Sequence, residues 1–291
     1  MKTEWKDFLE ASGAEFPDDR LMHFGNPERE QEVALSGLVF ADLEYQGVIA
    51  VHGQDAGSFL QSQFSNDING IDEHGSQLNA YCTPKGRILG LMRVFRHGDT
   101  WYLRLPADSL EAVIQRLRMF VMRADVTLED VSDNFQRIGV SGESAGKELA
   151  DVAGNLPEDI NAATHTGDLT VIRVPGLQPR YEVYATSMEA ARELWNSLNV
   201  RGAPVGESAW RLLEIQAGLP TVFSATAELF VPQMANLELI GGVSFKKGCY
   251  PGQEIVARMQ HLGTLKRRMY LGTIASDKTA SPGDSLFPGG D

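Results

Sequence analysis

From Val48 to Leu128 the hydrophobic pattern changes period in a fixed order, and that order restricts the fold. Val48 to His52 and Leu78 to Cys82 read as short strands. Between them Asp55 opens a helix that carries Phe59 and Leu60. Thr83-Pro84-Lys85-Gly86 turns the chain into an apolar strand, Ile88 to Phe95, and Trp101 to Leu105 follows across His97-Gly98-Asp99. Asp108 or Ser109 caps a helix with Leu110, Val113, Ile114, Leu117 and Phe120 at helical spacing, and Val126 to Leu128 closes the set. The order is β-α-β-β-α-β with one added hairpin, which is an α+β unit.

The same order returns downstream. Phe135 to Val140 is a strand and Glu143 to Val152 a helix. Leu169 to Val174 and Tyr181 to Tyr184 form a hairpin around Gly176 and Pro179, and Ser187 caps a helix with Ala191, Leu194, Trp195 and Leu198 inward. Organisation recurs without any residue-level repeat, which suits two ferredoxin-like α+β units. Ahead of them, 3–12 is a short helix with Trp5, Phe8 and Leu9 on one face, and 13–32 a polar arm broken by Pro17, Gly25 and Pro27. After them, a helix from Ala209 to Ala217 stops at Gly218 and Pro220. Lys266 to Ala275 and Ser285 to Phe287 read as strands about a Ser281-Pro282-Gly283-Asp284 turn. The expected partition is 1–34 (helix and arm), 35–130 (first unit), 131–265 (second unit) and 266–291 (the start of a further β structure).

Charge singles out one stretch. The chain of 291 residues carries 39 acidic and 26 basic side chains, net −13, yet Ser244 to Arg268 holds six basic residues against Glu254 alone. A local reversal of this kind marks an anion site. Cys249 sits inside it, after Lys246 and Lys247 and before a helix beginning near Gln253. Cations and a helix N-terminus both favour the thiolate, although a free Cys in a Gly-rich turn is equally at home buried and inert. Two cysteines without C-x-x-C make neither a zinc site nor a cluster cradle alone, so no metal site is expected. No apolar run approaches a membrane span and the N-terminus has no signal-peptide core, which points to the cytoplasm. The acidic balance argues against general nucleic-acid binding.

Lys247-Gly248-Cys249-Tyr250-Pro251-Gly252-Gln253-Glu254 resembles the K-G-C-[FY]-x-G-Q-E signature of the YgfZ-type folate-binding proteins, relatives of the glycine-cleavage T-protein aminomethyltransferase. The resemblance extends through GVIAVHGQDAGSFLQSQFSNDI, YCTPKGRILGLMRVF, RLLEIQAGLP and FVPQMANLELIGGVSF. It implies the T-protein fold: two interleaved ferredoxin-like units and a C-terminal β-barrel, here truncated, around a folate channel. Tetrahydrofolate or a derivative is then the cofactor. The partners are iron–sulfur client enzymes or assembly proteins, and the role is support of iron–sulfur-dependent tRNA modification. Carried over residue by residue, Cys249 is the reactive thiol with Lys247 beside it. Trp210 is a folate contact and Tyr45 stands near the place of a second aromatic. Gln178 stands where T-proteins clamp the pterin with Glu, and Tyr250, Gln253, Glu254 and Arg258 join the site, with Lys266, Arg267 and Arg268 as its basic rim. Gly90 replaces the Asp that orients the aminomethyl group in T-proteins, which argues against aminomethyl transfer. A tetrahydrofolate-dependent one-carbon transferase is the second reading, and a scaffold docking protein or RNA through the basic window the third.

Overall fold

The structure, a computed structural model, describes residues 1–17, 23–274 and 280–285. In chain order the elements are α1 (Thr3–Ala11), α2 (Pro27–Ala34), β1 (Val39–Asp42), β2 (Gln46–His52), α3 (Ala56–Gln63), β3 (Ser76–Cys82), β4 (Ile88–His97), β5 (Thr100–Pro106), α4 (Ala107–Val121) and β6 (Thr127–Asp130). Then come β7 (Gln136–Ser141), α5 (Ala145–Ala153), β8 (Ala163–Thr166), β9 (Leu169–Val174), β10 (Arg180–Ala185), α6 (Met188–Leu198), β11 (Ala203–Val205), α7 (Glu207–Gln216) and α8 (Gln253–His261). The strands form two sheets, in the orders β3-β4-β5-β2-β6 and β11-β1-β7-β10-β9-β8. No helix among the described residues is long and apolar enough to cross a membrane.

Strand β1 precedes β2 in the chain but belongs to the other sheet. It pairs parallel to β11 and antiparallel to β7, with Phe40 opposite both Pro204 and Val140. Four buried residues, Val-Phe-Ala-Asp, show no alternation, and the sequence reading passed over them. It also passed over β8, whose Ala-Thr-His-Thr is too polar to announce a strand.

Alternation sorts each strand onto two faces. In β10, Tyr181 and Val183 join the core that α1, α5 and α6 complete with Trp5, Leu149, Leu194 and Trp195. In β4 and β5, Val94, Leu103 and Leu105 join the core under α3 and α4. The opposite faces of the two sheets meet each other, with Phe95, Tyr102 and Tyr184 packed together and Phe95 centred 4.8 Å from Tyr184.

Three expectations are corrected. The segment 13–32 is not all connecting arm, because Pro27 opens α2 rather than breaking it. Proline suits the first helical position, where its missing N–H has no partner to lose, and Asn26 caps the helix by accepting from the Arg29 N–H at 2.9 Å. Asp55 does not cap α3; its carboxylate accepts from the Asp125 N–H at 2.9 Å and holds the 125–126 corner instead. No strand forms across 266–274, and Ala275, Leu286 and Phe287 of the expected tail strands lie outside the described residues. The 281–284 turn is present, closed by the Asp284 N–H on the Ser281 carbonyl at 3.1 Å.

Candidate functional site

The layer between the sheets carries charge. Arg93 of β4, Arg137 of β7 and Arg180 of β10 are each 1% exposed, and Glu182 is buried beside them. Arg104 of β5 reaches across to Glu182 of β10 at 2.5 Å, and the Tyr184 hydroxyl donates to the other Glu182 oxygen at 2.9 Å. Burial is the largest single influence and opposes the charge on each group, but the surrounding partners together outweigh it, led by Arg104 for Glu182 and by Glu182 for Arg104. Glu182 is held below the usual carboxylate range and Arg104 is pushed above the usual guanidinium value. Arg93, without such a contact, is lowered by burial to about 10.

Arg180 is different. Its guanidinium lies 5.2 Å over the Trp210 ring. All three guanidinium nitrogens are buried and none has a hydrogen-bond partner among the described residues. Trp210 itself is fully buried, its indole flat against β7, where a Cβ on Gly139 would come within 2.5 Å of the ring. The indole Nε1–H is also without a partner. One turn further along α7, Glu214 is buried with no side-chain hydrogen bond or ion pair among the described residues. Burial raises its pKa against the pull of Arg104 and Arg180. Trp210, expected as a folate contact, is thus enclosed rather than open to solvent. It belongs to a closed core that contains unmet polar groups.

Two cavities flank this centre. One of about 60 Å³ is lined by Ser141, Gln178, Arg180 and Gln216. Gln178 donates from Nε2 to the Leu35 carbonyl at 3.2 Å, while its buried Oε1 has no partner. The other, about 560 Å³, is lined by Asp42, Tyr45, Asp108, Arg211 and Phe223. Arg211 is sandwiched between Tyr45 and Phe223, 5.0 and 4.8 Å from the ring centres, and ion-pairs with Glu207. Tyr45 also packs on the cluster that contains Trp210, so it is the wall shared by cavity and centre. Asp42 accepts from the Trp5 indole at 2.9 Å; burial, then Glu44, pushes its pKa up to about 7.

The remaining sequence-predicted residues assemble elsewhere. The Lys247–Glu254 loop docks on the Thr83–Gly86 turn. A Cβ on Gly252 (φ +84°) would stand 2.5 Å from the Thr83 oxygen and 2.6 Å from the Gly86 Cα, so only glycine permits the approach. Lys247 is buried. It donates to the carbonyls of Gln61, Phe64 and Asn66 at 2.7, 2.5 and 2.9 Å, and burial lowers its pKa to about 8. The expected thiol-activating role does not fit an ammonium so engaged. Tyr250 is buried, its hydroxyl pKa raised by burial and then by neighbouring Cys82. Cys249 is exposed, whereas Cys82 is buried and its thiol pushed up to about 12. On α8, Gln253 is half-buried, and Glu254 and Arg258 are exposed. Of the basic rim, Arg268 is tied to Glu238 at 2.6 Å; Lys266 and Arg267 line a cavity of about 620 Å³ with Phe230, Met234 and Tyr270. Trp210, Tyr45 and Gln178 thus share one neighbourhood, and the Cys249 group occupies another.

Residues 8–247 match the family model described as the GCVT N-terminal domain. The chain is 32% identical over 233 residues to the tRNA-modifying protein YgfZ of Colwellia psychrerythraea, covering 79% of this chain and 69% of that one. This chain belongs to the YgfZ family. The YgfZ of Cronobacter sakazakii is 29% identical over 262 residues, 89% of this chain and 78% of its own. Among solved structures, the glycine cleavage system aminomethyltransferase T from Bartonella henselae superposes with a TM-score of 0.76 at 18% identity, covering 88% of this chain and 74% of that one. YgfZ chains and that aminomethyltransferase therefore share a fold.

Within this YgfZ-family chain, the sequence reading missed Arg180 and Glu214. The signal for Arg180 was present. Arg180-Tyr181-Glu182-Val183-Tyr184 places ionisable or hydroxyl groups at every second position of a strand whose other positions are core. A strand covered by helices on one face, with charge on the other, requires a second layer to receive that charge.

Proposed function

We propose that this chain is a folate-binding protein of YgfZ type, which assists iron–sulfur cluster assembly or repair in the cytoplasm and so supports iron–sulfur-dependent tRNA modification. The observation that carries this reading is a cavity walled by Tyr45, Arg211 and Phe223, with Tyr45 packed on the Trp210 cluster and unmet buried polar atoms at Trp210, Arg180 and Gln178. Buried polar atoms in native proteins are nearly always hydrogen-bonded, so this set asks for a polar ligand, and the aromatic groups ask for a flat one. A cavity of about 560 Å³ lies in the range of small-ligand sites. The residues fit a folate, whose ring would supply hydrogen-bonding edges and a one-carbon carrier. Tyr45 and Phe223 offer faces, Arg211 a cation, and Trp210 an N–H donor.

Accessory action fits better than aminomethyl transfer. A Cβ at Gly90 would meet the Val113 Cγ2 at 3.0 Å, so this position faces the apolar side of α4. A carboxylate there would be driven into packed side chains. Cys249, exposed on its glycine-held turn, is open to a protein partner. The placement of β1 in the second sheet supports the reading of two interleaved ferredoxin-like units.

Titrating the full chain with tetrahydrofolate, followed by calorimetry and tryptophan fluorescence, tests the reading. Saturable binding is expected, together with restored iron–sulfur enzyme activity when the chain is expressed in a strain lacking its own YgfZ. Absence of saturable binding would reject folate as the ligand. Ammonia release with lipoyl carrier protein and tetrahydrofolate would favour the transferase reading.

A further inference from the structure

Helix α4 begins at the cavity of about 560 Å³, whose wall includes Ala107 and Asp108, and buries Leu110, Val113, Ile114 and Leu117 in the core beneath it. Its far end does the opposite. Met119, Phe120 and Met122 are 65%, 46% and 89% exposed. A helix whose apolar stripe is already buried has no packing use for three more apolar side chains in water, and exposed groups of this kind mark interaction sites. They sit among cations. From Ala112 to Ala124 the chain has Arg116, Arg118 and Arg123 and no acid, a second local reversal in a protein of net charge −13. Arg116, Met119 and Phe120 share a flank of the helix through their i, i+3, i+4 spacing, and Met122 and Arg123 follow directly past its last turn. Arg118 donates to the Leu128 carbonyl at 2.7 Å and Arg116 to the Tyr81 hydroxyl. None of the three arginines has an ion pair among the described residues, and Arg123 has no side-chain hydrogen bond either. The next acid, Asp125, accepts from the Gln54 N–H at 3.3 Å.

Met122 ends the helix at φ +48° and ψ −103°. A positive φ crowds the Cβ, so glycine is the usual residue where a helix ends this way. Methionine here strains the backbone and, at 89% exposure, recovers no burial within the chain. Its side chain is accounted for by a contact outside the chain. Met, aromatic residues and Arg are the types enriched in protein interfaces, and unbranched Met adapts to a partner's shape. We propose that the Arg116–Arg123 end of α4 is a docking surface for an acidic amphipathic helix of a protein partner. Met119, Phe120 and Met122 receive its apolar stripe, and Arg116, Arg118 and Arg123 face its carboxylates. The occupant's chemistry follows from complementarity, since arginines without carboxylate partners call for acids around an apolar centre. A flank spaced at helical intervals receives another helix, ridge into groove. A second copy of this chain is disfavoured, because a two-fold contact through this patch would set arginines against arginines. At 1.5 Å per residue Met119 lies about 18 Å along α4 from Ala107, so the partner docks without covering the cavity. The inference goes beyond the folate-binding reading and does not depend on it.

Fluorescence anisotropy on the full chain tests this with two labelled helical peptides that share one leucine stripe, flanked by glutamates in one and by lysines in the other. The Glu peptide should bind at least about tenfold more tightly than the Lys peptide, a preference that shrinks as salt rises. Arg123→Glu should remove most of that preference. Met122→Gly is the discriminating variant. It relieves the backbone, so the melting temperature should rise, while affinity for the Glu peptide falls by about tenfold. A side chain serving only the fold would give the reverse: a lower melting temperature and unchanged affinity. Methyl NMR supplies the location. The Met119 and Met122 methyl signals, assigned through Met119→Leu and Met122→Leu, should shift on addition of the Glu peptide, while that of Met92, buried in the core, stays in place. Equal binding of the two peptides, no binding of the Glu peptide, or Glu-peptide binding unaffected by Met122→Gly and Arg123→Glu would overturn the proposal. So would tighter binding to phosphatidylglycerol vesicles or to RNA than to the Glu peptide, which would make the surface a general polyanion site. A dimer in analytical ultracentrifugation that both variants dissolve would give the surface to a second copy of the chain and would overturn it as well.

Discussion

The ammonium nitrogen of Lys247 lies 2.5 Å from the carbonyl oxygen of Phe64, the residue that ends helix α3. Gln61 and Asn66 supply two further carbonyls at 2.7 and 2.9 Å. The last carbonyls of a helix lack intrahelical partners and carry partial negative charge, so a cation is favoured there. The lysine of the K-G-C stretch thus ties its loop to an element nearly two hundred residues earlier in the chain, and the thiol two residues later is positioned by that tie.

Lys247→Ala should therefore act on stability before it acts on chemistry. Three carbonyls lose a charged donor, while the desolvation of the ammonium is relieved, so the net loss expected is about 1–3 kcal/mol. Urea denaturation measures it. An unchanged midpoint with a slowed Cys249 reaction would return Lys247 to the thiol-activating role.

The two cysteines should differ sharply in reactivity. Cys82 is 1% exposed and its thiol is pushed up to about 12 by burial, so only about one in 10⁵ is thiolate at pH 7. Cys249 is exposed on the turn over Thr83–Gly86. N-ethylmaleimide at pH 7, with peptide mapping, should label Cys249 alone in the native protein, and Cys249→Ser should abolish native labelling without shifting the melting temperature. Faster labelling at Cys82 would mean that the loop opens far more readily than its contacts suggest.

How much of this was legible in the sequence depends on the range of the interaction. Period-two and helical spacing located β2 to β5, α3, α4 and α6, because those patterns are local and each element has one apolar face. The Trp210, Tyr45 and Gln178 neighbourhood was legible only through resemblance, since α7, β10 and the turn before β2 meet through tertiary packing. Arg180 and Glu214 were not legible as a pair for the same reason. Lys247 was misread because its partners at Gln61 to Asn66 lie on a different element, whereas its sequence neighbour is the thiol. Trp210 is likewise placed by tertiary packing, as its helix presents it to Gly139, the one residue of β7 small enough to take an indole face.

Asp42 gives the site a pH dependence. Its pKa rises from 3.8 to about 7, through burial first and then through Glu44, with Trp5 and Arg137 opposing. The folded chain therefore retains a proton that the unfolded chain releases. The stability contributed by this group is complete below about pH 4 and declines as pH rises to about 7. Asp42→Asn should flatten that decline, so that its melting temperature relative to the unaltered chain is higher at pH 8 than at pH 5. A parallel dependence in both proteins would place the proton elsewhere. Because Asp42 lines the Tyr45 cavity, ligand affinity should also change across the same interval.

Trp210 separates packing from recognition. The ring is fully buried against Gly139, and the Arg180 guanidinium lies 5.2 Å from its centre. Trp210→Ala removes both contacts and should cost about 3–5 kcal/mol, the range for truncating a buried aromatic. That loss alone reports only on the core. Trp210→Phe is the informative change, because it keeps an aromatic face for Arg180 and most of the volume but deletes the Nε1–H, which has no partner among the described residues. Removing an unmet donor relieves its desolvation, so the stability loss should be smaller than that of the alanine variant. If the donor serves a ligand, tetrahydrofolate should bind Trp210→Phe more weakly, by about 0.5–1.5 kcal/mol for one neutral hydrogen bond. Calorimetry beside thermal denaturation reads both quantities on one preparation. Affinity equal to that of the unaltered chain, together with a large stability loss in Trp210→Ala, would confine this tryptophan to the core and leave Tyr45, Arg211 and Phe223 as the ligand's only aromatic and cationic contacts on that side.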